Sequence, residues 1–279
     1  MEVLSFRLAE RYPFLGSGQS KLTAILQDPF NNGSGAPVPA MLILPGGGYV
    51  CCCSDREGWP VAMSFSETGI QCFVLEYSVA PEHRWPQALL EVSAALDLIR
   101  ENAEKWHIDP KKLLICGFSA GGHLAASYCT LRHDPDIARH ITGPDLAGAV
   151  LCYPVITAEP GLRHEGSFRS LAGEEEISAA TVERFSLERH VKKGVTPPTF
   201  LWHTAADNGV PVENTLLYAM ALSRENIPFS AHIFPNGAHG LATVDSRTVP
   251  KAMADPQAAQ WIAQWIALAK LWIKELLGI

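Results

Sequence analysis

A serine between two glycines, in Gly117-Phe118-Ser119-Ala120-Gly121, is the residue of this chain best placed to act as a nucleophile. An apolar run, Leu113-Leu114-Ile115-Cys116, precedes it, and a helix-like segment, 122–131, follows. A strand that turns into a helix this tightly needs small residues on both sides of the serine. The hydroxyl then stands clear of the backbone at a helix N-terminus, where partial positive charge favours a developing anion. A serine hydroxyl is a weak nucleophile at neutral pH and needs a base, and the base needs an orienting group. Both follow in the chain. Asp207 lies just beyond the apolar run Thr199-Phe200-Leu201-Trp202. His239 lies in Pro235-Asn236-Gly237-Ala238-His239-Gly240, beyond the run 230–234.

Anion stabilisation has its own signal. The run 40–44 ends in Pro45-Gly46-Gly47-Gly48-Tyr49, where glycines can turn N–H groups toward one point. Gly47 or Gly48, with Ala120, could hold an oxyanion. Tyr49 and His164 are candidates to line the substrate pocket. Asp55-Arg56-Glu57 reads as a charge network that positions the glycine loop. His203 reads as support beneath the Asp207 loop, and His123 as support in the first turn after Ser119.

The elements that must position these groups alternate. Strands are expected over 40–44, 72–77, 113–117, 148–153, 199–204 and 230–234. They are apolar on successive residues, as in strands covered on both faces. Helices are expected over 59–68, 87–102, 122–131 and 212–226. This order implies an α/β fold with a mostly parallel sheet flanked by helices. Stretches 3–8 and 22–27 would add antiparallel strands at the start. Ser119, Asp207, His239 and the glycine loop all fall beyond strand carboxyl ends, where parallel sheets gather their ligand sites. The polar segment 157–194, with Ser178 before Ala179-Ala180 as a helix start, interrupts the rhythm and reads as a small cap insertion in a single domain spanning 1–279. The stretch 256–277 reads as a final helix whose face carries Trp261, Trp265, Leu268 and Trp272. Ile262, Ile266, Ala269 and Ile273 widen that stripe and leave a homo-oligomer contact open.

Composition narrows the function classes. At 279 residues, with 47% apolar and 18% charged residues, the chain can bury one large core. A net charge of −7 without a basic block disfavours nucleic acid and acidic membranes as partners. The N-terminus lacks a signal-peptide pattern, and the seven cysteines, three of them consecutive at 51–53, read as reduced thiols of a cytoplasmic protein. Asn32-Gly33-Ser34 matches a glycosylation sequon and reads as a turn. No cluster has metal-ligand spacing and no nucleotide fingerprint occurs, so neither metal nor cofactor is expected.

With these motifs in hand, the chain resembles the α/β-hydrolase superfamily over nearly its whole length. More narrowly it resembles the bacterial esterase/lipase-like branch that includes acetyl (xylan) esterases. The resemblance rests on residues 45–49, Asp55-Arg56-Glu57-Gly58, Tyr77-Ser78-Val79-Ala80-Pro81, Gly117 to His123, and the Asp207 and His239 loops. It implies Ser119 as nucleophile, His239 as base and Asp207 as its orienter. It also implies short-chain, acetyl-type esters as substrates, with a sugar as the alcohol. Related hormone-sensitive-lipase-like esterases carry His-Gly-Gly-Gly where Pro45 begins the loop here, which changes the support behind the loop and not its N–H donors. Two other readings stay open at this stage: a small amidase, peptidase or arylformamidase with the same machinery, and a non-catalytic binding protein on this fold.

Overall fold

The chain folds, in a computed structural model that describes residues 1–28, 35–135, 137–245 and 256–279, around one sheet. The Asn32-Gly33-Ser34 turn lies outside the described residues. The elements in chain order are β1 (Glu2–Arg7), α1 (Leu8–Arg11), β2 (Lys21–Leu26), β3 (Val38–Leu44), α2 (Trp59–Ser66), β4 (Gln71–Glu76), α3 (Gln87–Glu101), β5 (Ile108–Phe118) and α4 (Ser119–Leu131). They continue with β6 (Gly148–Cys152), α5 (Glu165–Ala172), α6 (Ala179–Phe185), β7 (Thr199–Thr204), α7 (Glu213–Arg224), β8 (Phe229–Phe234), α8 (Pro256–Ile262) and α9 (Gln264–Leu277). Among the described residues the strands lie side by side in the order β1-β2-β4-β3-β5-β6-β7-β8. β2 pairs antiparallel with both neighbours, and every other pairing is parallel. The expected antiparallel start is thus a single reversed strand, and β1 again runs with the rest.

The continuous apolar runs have a simple cause. Successive residues of each central strand feed opposite cores. Leu42, Leu44, Ile115, Leu151 and Leu201 pack on one side of the sheet. Met41, Ile43, Cys116, Val150 and Trp202 pack on the other. Each such side chain, fully buried, contributes about 1.5–3 kcal/mol. Both faces therefore tolerate little polarity, which is why the strands do not alternate.

Element ends shift by one to a few residues from the sequence reading, and three of the differences have a clear cause. β5 begins at Ile108, because its partner β3 reaches back to Val38 across a register shift that accommodates the exposed Pro110-Lys111. α4 begins at Ser119 itself, so the nucleophile candidate occupies the helix's first residue. The C-terminal stretch is two helices, and its buried line is Ile262, Trp265, Ala269 and Ile273. Trp261, expected on that face, is 56% exposed. The buried line is turned about one residue from the tryptophan stripe, because Trp265 alone of these reaches down to stack on Trp202 (ring centroids 5.0 Å apart, planes 18° apart).

Residues 157–194 carry α5 and α6. Ser178 caps α6 by accepting from Thr181 N–H. Phe168 and Phe185 of this segment are buried against the His123 ring at the start of α4. Among the described residues no helix is long and apolar enough to cross a membrane.

Candidate active site

The turn from β5 into α4 is built around missing side chains. A Cβ on Gly117 would stand 2.3 Å from the Gly121 carbonyl oxygen, and one on Gly121 would stand 2.2 Å from that of Leu44. No such contact is tolerated, so both positions require glycine. Ser119 itself sits at φ 51°, a left-handed conformation costly for a residue with a Cβ. The strain is local to the one residue whose hydroxyl must leave the backbone's shadow, and Ser119 remains 8% exposed.

Three distant segments meet there. Ser119 Oγ donates to His239 Nε2 at 2.7 Å, and His239 Nδ1 donates to Asp207 Oδ2 at 2.8 Å. Asp207 Oδ1 accepts from the N–H groups of Gly209 and Val210 at 2.8 and 2.9 Å. His203 Nε2 donates to Asp207 Oδ2 at 3.2 Å and to the Val210 carbonyl at 3.0 Å, while its Nδ1 accepts from Thr215. His203 thus lies beneath the Asp207 loop, in hydrogen-bond contact with the acid. Burial alone would push the Asp207 carboxyl up. Hydrogen bonds from His203 and His239 outweigh it and hold the group far below the usual carboxylate range. Asp207 is therefore a carboxylate at any working pH, and the proton stays on His239 Nδ1.

The glycine loop passes directly over this group. A Cβ on Gly46 would stand 2.9 Å from Ser119 Cβ. Gly47 takes φ 133°, and a side chain there would collide with the Cys51 carbonyl. The loop's own bonds run from the N–H groups of Val50 and Cys51 to the Gly47 carbonyl and from Cys53 N–H to that of Gly46. The Gly47 and Gly48 N–H groups stay outside those bonds, and both residues line the cleft with Ser119. Unspent N–H donors beside a nucleophile can stabilise charge that develops on the oxygen of an attacked carbonyl.

The charge network at 55–57 is narrower than the sequence implies. Asp55 is exposed, and of the three residues it is Glu57 that bonds the loop, which the Tyr77 hydroxyl also holds by donating to the Pro45 carbonyl at 2.8 Å. Glu57 Oε2 accepts from Gly46 N–H at 2.7 Å, and Oε1 accepts from the Tyr153 hydroxyl at 2.8 Å. That hydroxyl accepts in turn from Ala242 N–H at 2.9 Å. Glu57 and Tyr153 therefore tie the glycine loop to the segment that follows His239. Tyr153 was not singled out from sequence. Its one signal is position, immediately beyond the carboxyl end of β6.

A cleft of about 180 Å³ opens above Ser119 and His239, lined also by Gly47, Gly48, Arg56 and His164. His164 reaches it from the 157–194 segment, held by hydrogen bonding of its Nδ1 with Ser167. Tyr49 does not line it. Its ring is buried at φ 61° and its hydroxyl donates to His123 Nδ1 at 2.8 Å, so it stands behind the loop. A larger hollow, about 570 Å³, lies at the far end of α4 around Thr130, His133 and Lys192, remote from Ser119.

His123 is the buried support of this corner, its Nε2 donating to the Phe185 carbonyl at 3.2 Å. Burial holds its imidazole down at about 4, against 6.5 for an exposed histidine. Between those values the unfolded chain takes up a proton that the native fold refuses. Stability therefore falls as pH drops through that window. From pH 7 to pH 5 His123 alone should remove about 2 kcal/mol. Urea unfolding at both pH values reads this. The loss should be about 2 kcal/mol larger in the wild type than in His123→Gln, and equal losses would contradict it.

Comparison with known proteins gives a consistent picture. The family pattern described as the alpha/beta hydrolase fold matches residues 41–195. A pattern of the prolyl oligopeptidase family matches residues 163–268. Endo-1,4-beta-xylanase B of Butyrivibrio fibrisolvens is 43% identical over 74% of this chain and 33% of its own length. Acetylxylan esterase of Xylanibacter ruminicola is 28% identical over 72% of this chain and 41% of its own length. The chain thus spans about a third to two-fifths of the length of these relatives. Among solved structures, an acetyl ester-xyloside bifunctional hydrolase from Caldicellulosiruptor lactoaceticus superposes with a TM-score of 0.78 at 36% identity. That match covers 93% of this chain and 89% of the other.

Proposed function

The chain belongs to the α/β-hydrolase fold family, and on that premise we propose that it hydrolyses small carboxylic esters through a serine-bound acyl intermediate. The observation that carries this reading is one imidazole held at 2.7 Å from the Ser119 hydroxyl and 2.8 Å from a carboxylate, beneath a glycine loop. In the proposed cycle His239 Nε2 takes the Ser119 proton as Oγ attacks the carbonyl carbon. The N–H groups of Ala120 and Gly47 or Gly48 receive the oxyanion. His239 then gives its proton to the departing alcohol. Water repeats the sequence on the acyl group and frees Ser119. Asp207 keeps Nδ1 protonated throughout and stabilises the imidazolium.

Short acyl groups fit this site best. A cleft of about 180 Å³ is smaller than the pockets that enclose drug-sized ligands, about 300–1,000 Å³. We read 157–194 as a cap that bounds the cleft through His164. We place the protein in the cytoplasm, since seven unpaired cysteines suit a reducing compartment. The names of the relatives favour an acetyl group on a carbohydrate. A p-nitrophenyl ester series tests acyl length: kcat/KM should fall by about tenfold or more from acetate to octanoate, a loss of ~1.4 kcal/mol of transition-state binding. A rising series would refute it. The prolyl oligopeptidase match across Asp207 and His239 supports amide cleavage as a second reading. Preference for p-nitroacetanilide over p-nitrophenyl acetate would select it.

A further inference from the structure

Arg56 is the charged side chain of the cleft that this cycle does not use. It is half-buried on the wide helical turn Ser54–Gly58 and lines the cleft with Ser119, His239 and Gly240. One guanidinium nitrogen stands 3.8 Å from the point a Cβ on Gly240 would occupy. Arg56 thus lies beside the backbone that directly follows the base. Since His239 hands its proton to the departing alcohol, groups beside it face the alcohol rather than the acyl group.

Glu57 lines the cleft beside Arg56 and attracts it, but each of its oxygens already accepts from another group. Glu57 has one oxygen on Gly46 N–H and the other on the Tyr153 hydroxyl. Asp207 is committed to His203, His239 and two backbone N–H groups. The Cys53 thiol, a weak acceptor, is the neighbouring group that most favours the charge of Arg56. His164, the other basic group of the cleft wall, is pushed below the ordinary histidine range by burial and by nearby His239. A permanently charged planar fork therefore faces the alcohol side with most of its donors unspent.

Resting on the esterase reading, we propose that Arg56 is a carboxylate-reading residue and that the preferred ester carries a carboxylate on its alcohol, a few atoms from the ester oxygen, as an acetylated uronic acid does. Guanidinium and carboxylate pair through two parallel N–H···O bonds, which fixes the alcohol's orientation as well as holding it. The chain's net charge of −7 repels such a substrate at long range. Beyond about 10 Å salt screens that repulsion, whereas a half-buried contact is screened much less.

The test uses two acetyl esters that differ in charge and little in shape, 3-acetoxybenzoate and 3-acetoxybenzamide. Wild-type kcat/KM should favour the benzoate on the order of tenfold, through KM. In Arg56→Gln the ratio should collapse toward one, and Arg56→Lys should keep part of it, since lysine retains the charge and loses the fork. The ratio is internal to each variant, so a general loss of activity leaves it readable. If Arg56→Gln fails to fold, benzoate should still inhibit wild-type turnover of the benzamide ester competitively and more strongly than benzamide does, and equal inhibition by the two would overturn the proposal. A wild-type ratio at or below one, or a ratio retained by Arg56→Gln, overturns the proposal. Wild-type turnover of the neutral benzamide checks the esterase reading separately. Inertness toward both esters removes that reading and this proposal with it.

Discussion

Replacing Ser119 by alanine should lower p-nitrophenyl acetate turnover by about 10⁵- to 10⁶-fold. That corresponds to roughly 7–8 kcal/mol of barrier. The size follows from the geometry. In the proposed cycle His239, 2.7 Å away, activates this hydroxyl, and Asp207 holds His239. Without the hydroxyl, what remains is the glycine loop and substrate binding, which act on water alone. The protein itself should be undisturbed, because the Ser119 side chain makes one hydrogen bond, to His239. Its φ of 51° is a strain that alanine bears equally. A normal melting temperature with residual activity near background is the expected pair of results, measured by thermal unfolding and steady-state kinetics. Activity within tenfold of wild type would remove the nucleophile assignment.

Asp207→Asn should cost on the order of 10⁴-fold in kcat with little change in KM. The reason lies in the loop around it. The N–H groups of Gly209 and Val210 both donate to Oδ1, so an asparagine must place its carbonyl oxygen there. Its amide NH₂ then faces His239 Nδ1, where Asp207 Oδ2 now accepts. A donor facing Nδ1 forces the ring proton onto Nε2, and Nε2 can no longer take the proton of Ser119. The variant therefore keeps its shape and loses the tautomer. A fall of less than tenfold would show that Asp207 is not what orients the base.

Much of this was legible in the sequence because the physics is local. Ser119 announces itself through Gly117 and Gly121, whose absent side chains the turn requires. Asp207 and His239 sit a few residues past strand ends that are apolar on both faces, and strand ends are where a parallel sheet leaves its backbone open. The supporting histidines were legible for the same reason, since His123 and His203 lie one turn or one strand end from the groups they hold. What the sequence hid depends on contacts between distant elements. Tyr153 matters because its hydroxyl lies between Glu57 and Ala242, and neither neighbour leaves a mark near position 153. Tyr49 follows the glycines so closely that it reads as a pocket wall, yet its φ of 61° turns the ring back toward His123. The C-terminal tryptophans have helical spacing, but only packing against Trp202 decides which of them is buried. Periodicity gives the existence of a face and leaves its rotation to the partner surface.

The central claim is that one hydroxyl, and no other group, carries the acyl transfer. The most direct measurement is to treat the active protein with a fluorophosphonate and locate the adduct by peptide mass mapping as esterase activity disappears. The account predicts one phosphonyl group per chain, on Ser119, in step with the loss of activity. An adduct on another residue, or turnover that survives full modification of Ser119, would contradict it.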